Sequence, residues 1–99
     1  MSRVMFNISY SIKPELRSQY LGLIREMKTH VTAQGTNYSV FEAKGKKNHF
    51  TEVFITETME AFDALEDNQD EKTQGLVSKI EECVDGAGMK YATLVEVEA

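Results

Sequence analysis

From residue 4 the chain alternates apolar and polar side chains. In "VMFNISYSI", Val4, Phe6, Ile8, Tyr10 and Ile12 share one face, while Met5, Asn7, Ser9 and Ser11 share the other. A period of two marks a β-strand. Pro14 then opens a helix at a position where a missing N–H is tolerated. Leu16, Tyr20, Leu23, Ile24, Met27 and Val31 follow at spacings of three and four, which makes one apolar stripe. Gly35 is the expected stop.

Residues 37–44, "NYSVFEAK", form a second expected strand, and "KGKK" turns it into a third over residues 49–57. A two-residue loop at Gly45 and Lys46 pairs Lys44 with Lys47, Glu42 with His49 and Phe41 with Phe50. In that register Tyr38 and Val40 share a face with Thr51, Val53 and Ile55. Asn37, Ser39 and Phe41 share the opposite face with Phe50, Glu52 and Phe54. A three-residue loop would shift the pairing and flip one strand. Thr58 is a suitable N-cap for a second helix, with Glu60 in its first turn. Phe62 and Leu65 face inward there, and the apolar stripe resumes at Leu76, Val77, Ile80 and Val84. The polar run between them predicts a kink or split near residues 67–70. "DGAG" ends the helix, and residues 89–98 form the last strand.

The order β-α-β-β-α-β is the α+β arrangement called ferredoxin-like, with both helices on one face of a four-stranded antiparallel sheet. The helices cover Ile8, Tyr10, Val40, Val53 and Ile55 in this reading. Met5, Phe41, Phe50 and Phe54 are left on a bare face. Large apolar patches rarely face water, so a second copy of the chain, sheet against sheet, is the expected cover.

Length and composition narrow this further. The 99 residues form a single domain, 1–99, and a chain this short buries its surface poorly without a partner. Eleven Lys and Arg against 16 Asp and Glu leave a net charge of −5. That balance argues against nucleic acid and against an anionic membrane, both of which call for clustered positive charge. Lys44, Lys46 and Lys47 around Gly45 read as a solvated turn. No apolar run is long enough to span a bilayer, and the N-terminus lacks the features of a secretion signal. A cytoplasmic location is therefore expected. The one cysteine, Cys83, fits that compartment and continues the stripe of Leu76 and Ile80 as a small core residue.

The segments "SYSIKPELRSQYLGLI" and "HFTEVFITETMEAFDAL" give the chain its resemblance to the dimeric α/β-barrel superfamily, and within it to the antibiotic-biosynthesis-monooxygenase-like branch. The resemblance implies a homodimer whose sheets close a barrel around an apolar or aromatic ligand. Cofactor-free oxygenases and haem-degrading enzymes both belong to that superfamily. Asn7 stands six residues before Lys13, as the asparagine of haem-degrading members does. Thr56 occupies the place of their tryptophan, and "EKTQGL" offers Lys72 where they carry a histidine. The resemblance therefore implies no haem turnover, and no cofactor is expected.

The candidate site follows from the bare face. Glu52 and Asn7 are the candidate catalytic residues. Met5, Ser9, Ser39, Phe41, Phe50, Phe54 and Thr56 are the candidate ligand contacts, because a few polar groups converging in an apolar pocket is how small-molecule sites are built. A carboxylate between aromatic rings loses solvation, and its pKa rises into the range of a general acid or base. Alternatively, Glu52 pairs with a donor on the partner chain. His49 opposite Glu42 makes a cross-strand pair, and His30 lies at the boundary of the first helix. Neither has the neighbours of a metal ligand, and no nucleophilic triad or phosphate loop is present. The expected role is a homodimer that binds an apolar or aromatic small molecule. The alternatives are a cofactor-independent monooxygenase acting on an aromatic or quinone-like compound, and a structural or regulatory dimer with a filled barrel.

Overall fold

The computed structural model describes residues 2–67 and 69–99. Strand β1 spans Val4–Ser11, and a 3-10 turn over Pro14–Leu16 leads into helix α1, Arg17–Ala33. Strands β2 (Asn37–Glu42) and β3 (His49–Thr56) form a hairpin. Helices α2 (Met59–Asp67) and α3 (Glu71–Cys83) follow, and β4 (Lys90–Val95) closes the order. The sheet is antiparallel with strand order β2-β3-β1-β4. This is the ferredoxin-like arrangement that the hydrophobic pattern predicts.

Local signals account for most element ends. Pro14 sits in the first turn, Gly35 leaves α1 with a φ of 86°, and the Thr58 hydroxyl accepts the Ala61 N–H at 3.1 Å at the start of α2. The expected split of the second helix is real. The Asp70 side chain caps α3, accepting the Thr73 N–H at 2.8 Å. Short polar side chains do this because the first turn of a helix has N–H groups with no partner of their own.

The hairpin departs from the expected pairing by one residue. Glu42 lies opposite Phe50 and Phe41 opposite Thr51, not Glu42 opposite His49 and Phe41 opposite Phe50. The turn is longer than two residues: Ala43 N–H donates to the His49 carbonyl at 2.8 Å across residues 44–48. Gly45 and Asn48 both take positive φ, 85° and 68°. Arg17 fixes the turn from outside, with Nη1 and Nη2 2.6 and 2.9 Å from the two Glu42 carboxylate oxygens and Nη1 2.8 Å from the Asn48 side-chain oxygen. Glu42 also accepts the Asn48 N–H at 2.8 Å.

A shift of one residue turns every side chain of β3 to the other face. Phe50, Glu52 and Phe54 therefore look towards the helices, beside Tyr38 and Val40 of β2 and Phe6, Ile8 and Tyr10 of β1. Val53 and Ile55, expected under the helices, lie instead on the open face. The core sits between sheet and helices: Tyr10, Ile12, Tyr20, Met27, Val31, Tyr38, Phe50, Leu76, Ile80 and Cys83 are all buried there. No helix among the described residues is long and apolar enough to cross a membrane.

Candidate functional site

The exchange of faces divides the expected site in two. Met5, Asn7, Ser9, Ser39 and Phe41 stay on the open face, where Met5 lies between Ile55 and Leu94, and Asn7 between Val53 and Ala92. Ser9 meets Thr51 there, hydroxyl to hydroxyl at 3.0 Å. Phe50, Glu52, Phe54 and Thr56 belong to the helix side, so these nine residues do not line one cavity. Phe50 is a core residue, its ring 4.5 Å from that of Tyr20 and capped by the Arg17 guanidinium at 5.6 Å. Thr56 donates to the Thr58 carbonyl at 3.1 Å and so tethers the entry to α2.

Only Glu52 and Phe54 of the expected set reach a cavity of about 330 Å³ between the sheet and the helices. Phe6, Ile8 and Tyr91 form its sheet wall with them. Met27 and Val31 of α1, Phe62 of α2, and Val77 and Ile80 of α3 form the helix wall. The Phe6 ring touches three aromatic neighbours, with centroids 6.1 Å from Phe54, 5.7 Å from Phe62 and 6.1 Å from Tyr91. Gln34, Gln69, Asp70 and Glu81 are polar members of the lining. Sequence alternation had already placed Phe6 and Ile8 together on one face of β1. The missing information was which face of β3 joins them.

Glu52 is 3 % exposed and is a buried polar wall of this cavity. It has two donors within its own chain. Tyr38 Oη donates to Glu52 Oε1 at 2.6 Å, and Tyr10 Oη donates to Oε2 at 2.8 Å. Tyr20 Oη lies 2.7 Å from Tyr10 Oη. Since Tyr10 has already given its one proton to Glu52, Tyr20 must donate to Tyr10. Three hydroxyls from β1, α1 and β2 thus point their protons towards one carboxylate. Tyr10 and Tyr38 occupy the strands on either side of β3, each one pleat step along from Glu52, which is within reach of a long side chain.

Burial pushes the Glu52 carboxyl above its ordinary pKa, because the charged form loses water, while the tyrosine hydrogen bonds pull partly the other way. Burial and the neighbouring Glu52 charge push the Tyr10 and Tyr38 hydroxyls strongly upwards. They stay protonated and remain donors. The Tyr20 hydroxyl is also raised, chiefly by burial. A carboxyl group of raised pKa facing an apolar space can hold or accept a proton from a molecule bound there.

A second polar cluster stands at the edge of the cavity. The Asp70 carboxylate caps α3 and also accepts from His30 Nε2 at 2.9 Å and Gln34 Nε2 at 2.7 Å, tying α1 to α3. Hydrogen bonds from Thr73, then Gln34 and His30, hold its pKa well below the usual carboxylate range. His30 is therefore a boundary residue with a specific partner. His49, by contrast, does not face Glu42, because the register puts Phe50 opposite Glu42; Arg17 holds that carboxylate and lowers its pKa to about 2. No group of three or more His, Cys, Asp or Glu among the described residues is placed to hold a metal ion.

No family model and no curated protein matches the sequence. Solved structures do match. An antibiotic biosynthesis monooxygenase, proposed as such, from Caulobacter crescentus CB15 superposes with a TM-score of 0.83 at 12% identity, over 98% of this chain and 92% of that one. A conserved protein from Methanosarcina mazei Go1 gives 0.81 at 14%, over 95% and 92%. SnoaB of Streptomyces nogalater, a cofactor-independent oxygenase, gives 0.78 at 8%, over 98% and 95%. The chain has the antibiotic-biosynthesis-monooxygenase-like fold. At these identities the likeness concerns the fold, which is ferredoxin-like as the element order predicts.

Proposed function

We propose that this protein is a homodimer that binds an apolar, ring-bearing small molecule, one in each subunit, between the sheet and the helices. The observation that carries the reading is the cavity of about 330 Å³, walled by Phe6, Phe54 and Phe62 and furnished with one buried carboxyl group, Glu52. Small-molecule sites have this size and this mixture of apolar wall and few polar groups. Its open volume is also what favours binding over a purely structural role. The open sheet face supports the dimer: Met5, Phe41, Val53, Ile55 and Leu94 share it, with Phe41 60% and Leu94 52% exposed. Asn7, Ser9 and Ser39 are interface residues in this reading, making hydrogen bonds within a wet contact.

Binding is tested with naphthalene as the probe. The chain contains no tryptophan, so naphthalene fluorescence is read without an indole background. Val77→Phe places a ring in the cavity and should abolish binding while leaving the fold intact. Equal binding by both proteins would show that the probe sits elsewhere.

A cofactor-independent monooxygenase is the second reading, and Glu52 is the observation in its favour. Removal of the hydroxyl proton from a hydroxynaphthalene leaves an anion with carbanion character at a ring carbon; dioxygen adds there, and the resulting peroxide loses water to leave a quinone, with Glu52 the base that the cavity offers. SnoaB, which shares the fold, is such an oxygenase. Oxygen uptake with a hydroxynaphthalene, lost in Glu52→Gln, would establish it. The absence of uptake across phenolic probes would leave binding as the role.

A further inference from the structure

We propose that the cavity selects ring-bearing organic cations, such as a protonated aromatic amine, over neutral and anionic molecules of the same shape. This inference rests on the ligand-binding reading above and specifies the ligand class.

Two independent features of the wall point the same way. The first is its aromatic content. Phe54, Phe62 and, at the open edge with 61% exposure, Tyr91 are grouped around the Phe6 ring, and the faces of such rings carry negative charge density that attracts an ammonium group. The second is its formal charge. Three carboxyl groups, Glu52, Asp70 and Glu81, line the cavity, and no Lys, Arg or His is among its described lining residues. An anionic ligand entering this space would meet three carboxyl groups, of which only Asp70 has a basic partner, His30. Removing a carboxylate from water without a partner is strongly unfavourable. A neutral ring gains only the apolar contacts. A cation gains those contacts, the ring faces and a carboxylate together.

The arrangement of Glu52 also fits a donor rather than an acceptor. Tyr10 and Tyr38 have already directed their protons to its two oxygens, so the hydroxyls have no proton to offer an incoming ligand. Each carboxylate oxygen retains a further lone-pair position. The group left to recognise a ligand is therefore a carboxyl set in an apolar wall, which is an acceptor with negative charge when ionised, and a bound cation favours that ionised form over the protonated form that burial favours. The net charge of −5 for the whole chain adds attraction at longer range.

Three matched fluorescent probes test this: naphthylmethylamine, naphthylmethanol and naphthylacetate, titrated at pH 7 into the intact protein. The amine should bind about tenfold more tightly than the alcohol, a ratio within the range of cation–π attraction at a desolvated site, and the carboxylate should bind most weakly. Glu52→Gln should bring the amine to the affinity of the alcohol and leave the alcohol unchanged. Should that variant fold poorly, Glu81→Gln, at an exposed position, should narrow the preference in the same direction. Equal affinity for all three probes, or tighter binding of the carboxylate, overturns the inference while leaving the ligand-binding reading standing. Failure of all three to bind overturns both.

Discussion

Tyr38 Oη donates to Glu52 Oε1 at 2.6 Å, and this contact joins the edge strand β2 to the buried acid of β3. Both residues are almost wholly buried, at 2 % and 3 % exposure. Tyr38→Phe keeps the ring, which packs 4.7 Å from that of Phe54, and removes only the donor. A hydrogen bond to a charged group is worth about 1.5–3 kcal/mol, so a loss of about that size is expected at pH values above the folded Glu52 pKa, where the carboxyl is ionised. The Glu52 pKa should rise further, because a donor favouring its charged form has gone. Urea denaturation and a carboxylate titration by NMR read the two effects. An unchanged midpoint would show that the hydroxyl contributes nothing to the fold.

Burial raises the Glu52 pKa in the folded protein, and this fixes the sign of its effect on stability. The folded state holds the proton more tightly than the unfolded chain, whose value is about 4.3. The contribution is therefore fully present below that value and is lost as pH rises through the folded pKa. Glu52→Gln removes this dependence. The stability difference between wild type and variant should change between the unfolded and folded pKa values, to the disadvantage of wild type as pH rises. Denaturation midpoints of both proteins from pH 4 to pH 9 measure it. A difference that stays flat over that range would place Glu52's folded pKa at its ordinary value.

Asp70 behaves in the opposite sense. Its folded pKa is lowered, by Thr73 foremost, so its contribution is present above the unfolded value of about 3.9 and lost as pH falls through the folded pKa. Asp70→Ala removes the cap of α3 and the partner of His30 and Gln34 together, and should lower the Tm. Asp70→Asn keeps a side-chain oxygen for the Thr73 N–H and should recover most of the loss, since Asn caps helices about as well as Asp. If Asn proves as damaging as Ala, the charge towards His30 matters more than the cap.

The sequence made β1 legible because only one of its faces is consistently apolar, so alternation decides which side is buried. Strand β3 carries Phe50 and Phe54 on one face and Val53 and Ile55 on the other, and either face could serve as core. The turn decides between them. Its conformation depends on the positive φ of Asn48 and on Arg17 reaching from α1 to Glu42, a contact between residues 25 apart in the chain. Glu52 was legible as a buried acid with a raised pKa. Its donors were not, because Tyr10, Tyr20 and Tyr38 meet only when β1, α1 and β2 have docked. The cavity was hidden for the same reason: its volume depends on how far α2 and α3 stand from the sheet.

The open face provides the test of self-association. Ile55 lies opposite Met5 and Asn37, on the side of the sheet that no helix covers. Val53, Met5 and Leu94 beside it, and Phe41 further along the same face, make that side apolar, and apolar patches of this kind mark contact surfaces. The wild-type chain should therefore sediment as a dimer at micromolar concentration. Ile55→Asp puts a charge into the apolar part of the contact without touching the core between sheet and helices, so the variant should sediment as a folded monomer with an unchanged circular dichroism spectrum. Phe54→Asp provides the contrast. One residue earlier, its side chain points the other way, against Tyr38 and Phe6, and the same charge there should unfold the subunit. The two outcomes together test the register of β3 as well as the dimer. A wild-type chain that sediments as a stable monomer would remove the sheet face from the proposal, and unfolding by Ile55→Asp rather than Phe54→Asp would reverse the faces.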